Sequence, residues 1–137
     1  MMKDGINMEK VDKVLLVDDD PAIVVMYERK LSLNGFRVVV AGNGEEGLAA
    51  LKKERPEIIL LDIMMPKLNG LDTLKIIKSD PAYQDLPVII LTNLGDRAED
   101  VMRCKELGAA DYWVKANTPI GEITERIKKI ISRSKHN

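Results

Sequence analysis

The sequence has little of several features that mark whole classes of protein. It has one cysteine, Cys104, so neither an internal disulfide framework nor a CxxC metal site can form. Its 21 basic and 22 acidic residues leave a net charge of -1, without the electrostatic signature of a nucleic-acid or anionic-membrane binder. No apolar run approaches the roughly 20 residues of a membrane helix, and residues 1–10 lack the apolar core of a signal peptide. These absences predict a cytoplasmic protein with no direct nucleic-acid or membrane partner.

The size and composition indicate one globular domain. At 137 residues the chain is short for two full domains, and 45% hydrophobic residues supply a substantial core. We predict a flexible N-terminal extension over residues 1–10, one folded domain over residues 11–134 and a tail over residues 135–137. The sequence leaves open whether the domain stands alone or is a fragment of a longer chain, and which oligomeric state it adopts.

Short apolar runs alternate along the chain with segments of helical spacing. Most runs are continuous, which is typical of strands buried on both faces. The clearest helical stripe is the last, with isoleucines at i, i+4, i+7 and i+8 from Ile123. The order βαβαβαβαβα predicts an α/β fold, a doubly wound parallel sheet with right-handed crossovers and helices on both faces. The five predicted strands are Val14–Val17, Arg37–Ala41, Ile58–Leu61, Val88–Leu91 and Tyr112–Val114.

Turn and capping residues separate these segments. Gly35 and Gly108 are placed to end the first and fourth helices, because glycine tolerates positive φ. Asn43 with Glu46 forms a candidate capping box before the second helix. Pro21 lies where the first helix begins. The positions of these turn and capping residues therefore agree with the strands and helices predicted from the hydrophobic periodicity.

Polar residues follow four of the five predicted strands. Asp18–Asp20 follows the first strand, Asp62 the third, Thr92 the fourth and Lys115 the fifth. In open α/β sheets, binding sites form outside the carboxyl ends of the strands. We therefore expect these side chains to share one crevice.

Crowded carboxylates decide the chemistry of that crevice. Asp18, Asp19 and Asp62 would lie together with one cation, Lys115, so either a carboxyl pKa rises sharply or a divalent cation binds. Oxygen ligands in a small open site favour Mg²⁺, which takes one or two carboxylates plus phosphate oxygens. A carboxylate can act as a nucleophile and form an aspartyl phosphate. The sequence therefore predicts phosphoryl chemistry that depends on Mg²⁺.

Four stretches of the sequence together resemble the receiver domain of the two-component response-regulator family. They are KVLLVDDDP at 13–21, IILLDIMMPKLNG at 58–70, PVIILT at 87–92 and GAADYWVK at 108–115. The resemblance implies a flavodoxin-like (βα)5 sheet of order 2-1-3-4-5 and a phosphoacceptor role in two-component signal transduction or a phosphorelay. It also implies no enzyme activity beyond the domain's own Mg²⁺-dependent phosphorylation and dephosphorylation.

The resemblance assigns the chemistry to particular residues. Asp62 would be the phosphoacceptor, and Lys115 would pair with the phosphoryl oxygens. Asp18 and Asp19 would hold Mg²⁺ together with Asp62, Asp19 directly and Asp18 directly or through water. The backbone carbonyl of Met64 would be a further ligand.

The resemblance also implies a switch and partners. Thr92 would hydrogen-bond to a phosphoryl oxygen, and the rotamer of Tyr112 would follow Thr92. A histidine kinase or histidine phosphotransfer protein would supply the phosphoryl group, since His136, the only histidine, lies in the tail. We expect an unknown downstream protein to contact the helix 4–strand 5–helix 5 face, because the weak apolar stripe of helix 4 suits a partner or self-association surface better than a deep core. Cys104, at helical spacing from Val101 and Leu107, is expected to be a buried small hydrophobe.

Two residues depart from the family pattern, which usually has proline after the lysine and a small residue after the threonine. Here those positions hold Ala116 and Asn93. Because a cis bond before a residue other than proline costs about 2.5–4 kcal/mol, we predict a trans Lys115–Ala116 peptide. Gly70 would serve the turn after the third strand.

Three alternatives compete with the phosphoacceptor interpretation. Residues 42–47 spell G-x-G-x-x-G before a helix, the dinucleotide-binding pattern, although Glu45 and Glu46 would repel a pyrophosphate there. A phosphohydrolase with an aspartate nucleophile would need a second acid near Asp62, where Ile63 follows instead. A degenerate receiver would act only as a protein-binding module.

Overall fold

A computed structural model describes residues 11–63, 65, 69–93, 97–115 and 118–135. Within them, strands and helices alternate along the chain as the periodicity predicts. The strands differ from their predicted bounds by one residue at most. The elements are β1 (Lys13–Val17), α1 (Pro21–Leu33), β2 (Arg37–Ala41), α2 (Gly44–Lys53), β3 (Ile58–Asp62), α3 (Gly70–Ser79), β4 (Val88–Thr92), α4 (Ala98–Glu106), β5 (Asp111–Val114) and α5 (Ile120–Lys135).

The strands form one parallel sheet in the order β2-β1-β3-β4-β5. This confirms the predicted flavodoxin-like fold. Every residue of β3 and β4 is buried, whereas β2 and β5, at the two edges of the sheet, are partly exposed. Continuous apolar strands lie in the interior because helices cover both of their faces.

Two hydrophobic layers enclose the sheet. Residues at alternate strand positions point into opposite layers, as the pleat of a strand requires. One layer lies beneath α1 and α5, and the other beneath α2, α3 and α4. The first includes Leu16, Leu60, Tyr27 and Ile127, and the second includes Leu61, Leu74, Ile77 and Cys104.

The apolar stripe of α4 packs against the core, which confirms the predicted burial of Cys104 and corrects the expectation that the stripe suits a partner surface. Cys104 is fully buried in the second layer, and Val101 and Leu107 pack half-buried against that layer. The apolar side chain that α4 does expose is Met102, which lies outside the stripe.

The predicted helix ends lie where glycine is needed. Gly35 has φ +89° after α1, and Gly108 has φ +105° after α4. Pro21 is the first residue of α1, as predicted. Lys135, predicted to begin the tail, is instead the last residue of α5. Residues 1–10 and 136–137 lie outside the described residues, so the N-terminal extension and the rest of the tail stay predictions. Among the described residues, no helix is long and apolar enough to cross a membrane.

Candidate functional site

The carboxyl edge of the sheet brings together the ends of four strands. Asp18 follows β1, Asp62 ends β3, Thr92 ends β4 and Lys115 follows β5. The register places these ends side by side, since Asp62 pairs with Leu91 across β3 and β4. The four predicted residues therefore lie at one edge of the sheet, as the sequence predicts.

Three aspartates form an acidic cluster at this edge. One carboxylate oxygen from each of Asp18, Asp19 and Asp62 lies within 4.8 Å of the others. Asp18 and Asp62 are each 1% exposed, whereas Asp19 is exposed. Two of the carboxylates are thus held inside the protein, and the third leaves the cluster open to solvent.

Lys115 is the cation that faces this cluster. Its Nζ lies 2.8 Å from Asp18 Oδ2 and 3.6 Å from Asp62 Oδ2. Burial alone would lower the pKa of Lys115, but the close contact with Asp18 and the negative charges of Asp62 and Asp18 outweigh burial. The pKa is therefore raised above its ordinary value, and the side chain stays an ammonium group.

The backbone fixes Asp18 in place. Its N–H donates to the carbonyl oxygen of Ala41 at 3.0 Å, and its Oδ1 accepts from the N–H of Asp20 at 2.9 Å. Asp20 itself caps α1, because its carboxylate accepts from the N–H of Ala22 at 3.0 Å. The first and third aspartates of the run therefore shape the turn, and Asp19 remains at the open side.

Gly70 is the first residue of α3 and lies against the end of β3, in keeping with the role predicted for it in the turn after that strand. A Cβ at this position would overlap the carbonyl oxygen of Asp62 and lie 2.6 Å from the Cα of Ile63. The Gly70 N–H also donates to the Ile63 carbonyl oxygen at 3.1 Å. Glycine is needed here for space, because α3 begins directly against the end of β3.

The donor set fits a Mg²⁺ ion. Carboxylate oxygens are the ligands that Mg²⁺ takes in proteins, and an open side accommodates its waters and phosphate oxygens. Three carboxylates against one ammonium group leave negative charge for a cation to neutralise. Asp18, Asp19 and Asp62 are the described residues that would hold it.

The family described as "Response regulator receiver domain" matches residues 14–128. The chain belongs to this family. It is 43% identical over 129 residues to the protein named "Probable transcriptional regulator ycf27" of Guillardia theta. The aligned region covers 94% of this chain and 49% of that protein. The chain spans about half the length of the curated relatives it matches.

Solved structures of receiver domains have the same fold. The chemotaxis protein CheY4 of Vibrio cholerae matches with a TM-score of 0.79 and 28% identity, over 88% of this chain and 98% of that one. The signal receiver domain of a histidine kinase from Syntrophus aciditrophicus matches with a TM-score of 0.83 and 29% identity, over 93% of this chain and 95% of that one. The resemblance inferred from the motifs is therefore confirmed.

The two predicted switch residues of this receiver domain lie on neighbouring strands. Thr92 is buried, and its Oγ1 donates to the carbonyl oxygen of Trp113 at 3.4 Å, near the long limit of a hydrogen bond. Tyr112 is 37% exposed, and the Lys105 Nζ lies 4.7 Å from the centroid of its ring. The threonine hydroxyl thus contacts β5, while the tyrosine ring lies at the surface beside α4.

Trp113 is a contact of the site that the sequence analysis did not identify. Its indole N–H donates to Asp111 Oδ2 at 3.0 Å, and the Arg126 guanidinium lies 5.7 Å from the ring centroid. The pairing of Asp111 with the indole could be expected, because residues two apart on a strand share a face. The contact of Thr92 with the Trp113 carbonyl leaves no mark in the sequence. Trp113 connects the end of β4, through its carbonyl, with α5, through its ring.

Three of the predicted residues lie outside the described residues. They are Met64, the predicted carbonyl ligand, Ala116, whose peptide with Lys115 we predict to be trans, and His136 of the tail. These assignments stay predictions. Asn93, the other departure from the family pattern, is described and exposed.

The G-x-G-x-x-G segment is a capped helix start. Asn43 Oδ1 accepts from the N–H of Glu46 at 2.9 Å, and Glu46 Oε1 accepts from the N–H of Gly42 at 2.9 Å. This is the reciprocal pattern of the predicted capping box, with the glutamate reaching one residue further back. These N–H groups are thus bound to side chains of the chain itself rather than left for a pyrophosphate.

Proposed function

We propose that this receiver domain accepts a phosphoryl group on Asp62 and signals through a change in its own conformation. The position of Asp62 carries the proposal: its carboxylate lies buried at the end of β3, among those of Asp18 and Asp19 and 3.6 Å from the Lys115 Nζ. Phosphoryl transfer requires mainly positioning and neutralisation of charge. These residues supply both.

The covalent step is a displacement at phosphorus. An Asp62 carboxylate oxygen attacks the phosphorus atom, and the bond from phosphorus to the donor breaks with its electron pair remaining on the leaving group. Lys115 already lies beside Asp62 and neutralises the phosphoryl oxygens. Asp18, Asp19 and Asp62 would hold Mg²⁺, with the predicted carbonyl of Met64, and the bound ion would neutralise further charge on the transferred group.

The donor we propose is a histidine kinase or a histidine phosphotransfer protein. A phosphohistidine transfers its phosphoryl group to a carboxylate with the leaving imidazole taking the electron pair, so no other reactant is needed. The predicted cytoplasmic location agrees with such a donor. Beyond its own phosphorylation and dephosphorylation, we expect no turnover of external substrates.

For the signal, we propose that Thr92 and Tyr112 couple Asp62 to the surface formed by α4, β5 and α5. The Thr92 hydroxyl would leave the Trp113 carbonyl for a phosphoryl oxygen, which vacates space beside β5. Tyr112 lies at the surface on that strand and would turn inward, which shifts an equilibrium between two conformations. A downstream protein would bind one of the two.

The experiment that tests the acceptor compares three proteins with a small phosphodonor, with and without Mg²⁺. Wild type and Asp72→Asn should each gain one acid-stable, base-labile phosphoryl group, while Asp62→Asn should gain none. Asp72 is the matched control because it is an exposed aspartate on α3, outside the cluster. Intact-mass spectrometry measures the product, and chelating Mg²⁺ should block it.

Each contrary result has a separate meaning. A phosphoryl group on Asp62→Asn would place the acceptor elsewhere. Wild type that stays unmodified with Mg²⁺ and several donors would favour the degenerate, binding-only receiver. Steady release of phosphate from external phosphomonoesters would favour the phosphohydrolase.

A further inference from the structure

The hydroxyl of Tyr27 is a buried polar group without a hydrogen-bond partner among the described residues. Tyr27 is 1% exposed and lies in the hydrophobic layer beneath α1 and α5. Buried polar groups in folded proteins nearly always have a partner, so an exception calls for an explanation. A phenylalanine would fill the same space without that group.

The direction of the side chain brings the hydroxyl toward the acidic cluster. α1 begins at Pro21, directly after the aspartate run, and Tyr27 lies in its second turn. Helical side chains tilt toward the N-terminus of their helix, which here is the end at the carboxyl edge of the sheet. Leu16 lies in the same layer as Tyr27, and Asp18 is two residues further along the same face.

Asp18 has an oxygen that can accept from this hydroxyl. Its Oδ1 accepts from the Asp20 N–H, whereas Oδ2 forms an ion pair with the Lys115 Nζ at 2.8 Å and has no hydrogen-bond partner among the described residues. A phenolic hydroxyl carries its proton at neutral pH, so Tyr27 can donate. A protonated donor and an oxygen held mainly by charge thus lie on the same side of the sheet.

We propose that Tyr27 is a positioning residue for Asp18. Its hydroxyl donates to Asp18 Oδ2, directly or through one buried water, when Lys115 turns from Asp18 to a phosphoryl group on Asp62. That movement takes the ammonium group away from Asp18 Oδ2, and a buried oxygen that loses this contact needs a replacement donor beside any bound Mg²⁺. This inference rests on the proposed function, because only a phosphoryl group on Asp62 draws Lys115 away.

The test compares Tyr27→Phe with Tyr83→Phe. Both variants lose one phenolic hydroxyl, but Tyr83 lies in the loop before β4, at the opposite edge of the sheet, with its ring beside Arg55. Each protein is titrated with beryllium fluoride, a phosphoryl mimic, at saturating Mg²⁺. Thermal melts are recorded with and without the mimic.

We expect Tyr27→Phe to bind beryllium fluoride about tenfold more weakly, as expected for the loss of a hydrogen bond to a charged group. Its melting temperature without the mimic should equal or exceed that of wild type, because the variant removes an unpartnered buried hydroxyl. Tyr83→Phe should match wild type in both measurements. Loss of the Tyr27 hydroxyl should thus weaken the form that binds beryllium fluoride without destabilising the free form. A hydroxyl with a merely structural role cannot produce that difference.

Two results would overturn the inference while the proposed function stands. One is an equal loss of stability with and without the mimic, which would make the hydroxyl structural. The other is an unchanged affinity for beryllium fluoride. If wild type itself does not bind the mimic and Asp62 is not phosphorylated, the proposed function fails, and the inference fails with it.

Discussion

β3 and β5 end at the same edge of the sheet, but the protein holds them differently. β3 lies between β1 and β4, and all five of its residues are buried. β5 pairs with β4 alone, and Trp113 is its one buried residue of four. A fully packed strand has essentially one arrangement, whereas an edge strand with few buried contacts opens more readily.

This difference in packing corresponds to the two proposed roles, phosphoryl acceptance on β3 and signal output on β5. The proposed acceptor, Asp62, belongs to the strand that cannot shift without disturbing both hydrophobic layers. The proposed switch residue, Tyr112, belongs to the strand that can. Substitutions at this edge of the sheet test whether the end of β3 is as rigid, and the end of β5 as free to move, as their packing indicates.

The largest effect we expect separates two adjacent aspartates. Asp18→Asn should lower the free energy of unfolding by about 3 kcal/mol, because it removes the closest partner of a buried ammonium group. Asp19→Asn should raise the free energy of unfolding by up to about 1 kcal/mol, since it relieves repulsion at an exposed carboxylate. Urea unfolding in metal-free buffer measures both variants. A greater loss for Asp19→Asn would contradict the assignment of Asp18 as the structural partner of Lys115.

A smaller effect should separate two glycines that begin helices. Gly70→Ala should lower the free energy of unfolding by about 1–3 kcal/mol, because the new methyl group meets the backbone at the end of β3. Gly121→Ala, near the start of α5, has nothing within 4 Å and should gain up to about 1 kcal/mol from helix propensity. Gly70→Ala should also slow phosphorylation of Asp62, which Gly121→Ala should not. Equal melting temperatures for the two variants would show that the backbone at the end of β3 moves to accommodate the methyl group and is not rigid there.

The order of the elements and the membership of the site could be predicted because they depend on local patterns. Buried strands are continuous apolar runs, and in a parallel sheet their carboxyl ends must meet at one edge. Asp18, Asp62, Thr92 and Lys115 therefore had to come together once the strands were recognised. The strand order itself came from the family resemblance.

The remaining features depend on what lies opposite a side chain, which a periodicity does not contain. Cys104 itself is predicted to be buried, but the apolar stripe of α4 as a whole is too weak to distinguish a core face from a partner face, and only its packing against the sheet decides this. Tyr27 fits an apolar stripe, so its hydroxyl escapes notice until its burial is known. Trp113 gains its role from a backbone carbonyl, a group that every residue has.

The smallest effect we expect concerns the contact between β4 and β5. Thr92→Ala removes a long hydrogen bond and should cost only about 0.5–1.5 kcal/mol of stability, with Asp62 still phosphorylated. Trp113 is the only tryptophan and accepts that bond, so its fluorescence reports on β5. Beryllium fluoride with Mg²⁺ should change the fluorescence of wild type but leave that of Thr92→Ala nearly constant.

Thr73→Ala is the matched control for this measurement, because its buried hydroxyl donates within α3 to the Asn69 carbonyl at 2.7 Å. This variant should respond to the mimic as wild type does, since its β4–β5 contact is intact. If Thr92→Ala keeps the full fluorescence change, the signal does not pass through the threonine hydroxyl. If amide resonances of α4, β5 and α5 stay constant in wild type while those around Asp62 shift, the surface formed by α4, β5 and α5 is not the output surface. In that case the difference in burial between β3 and β5 would reflect only the position of β5 at the margin of the sheet.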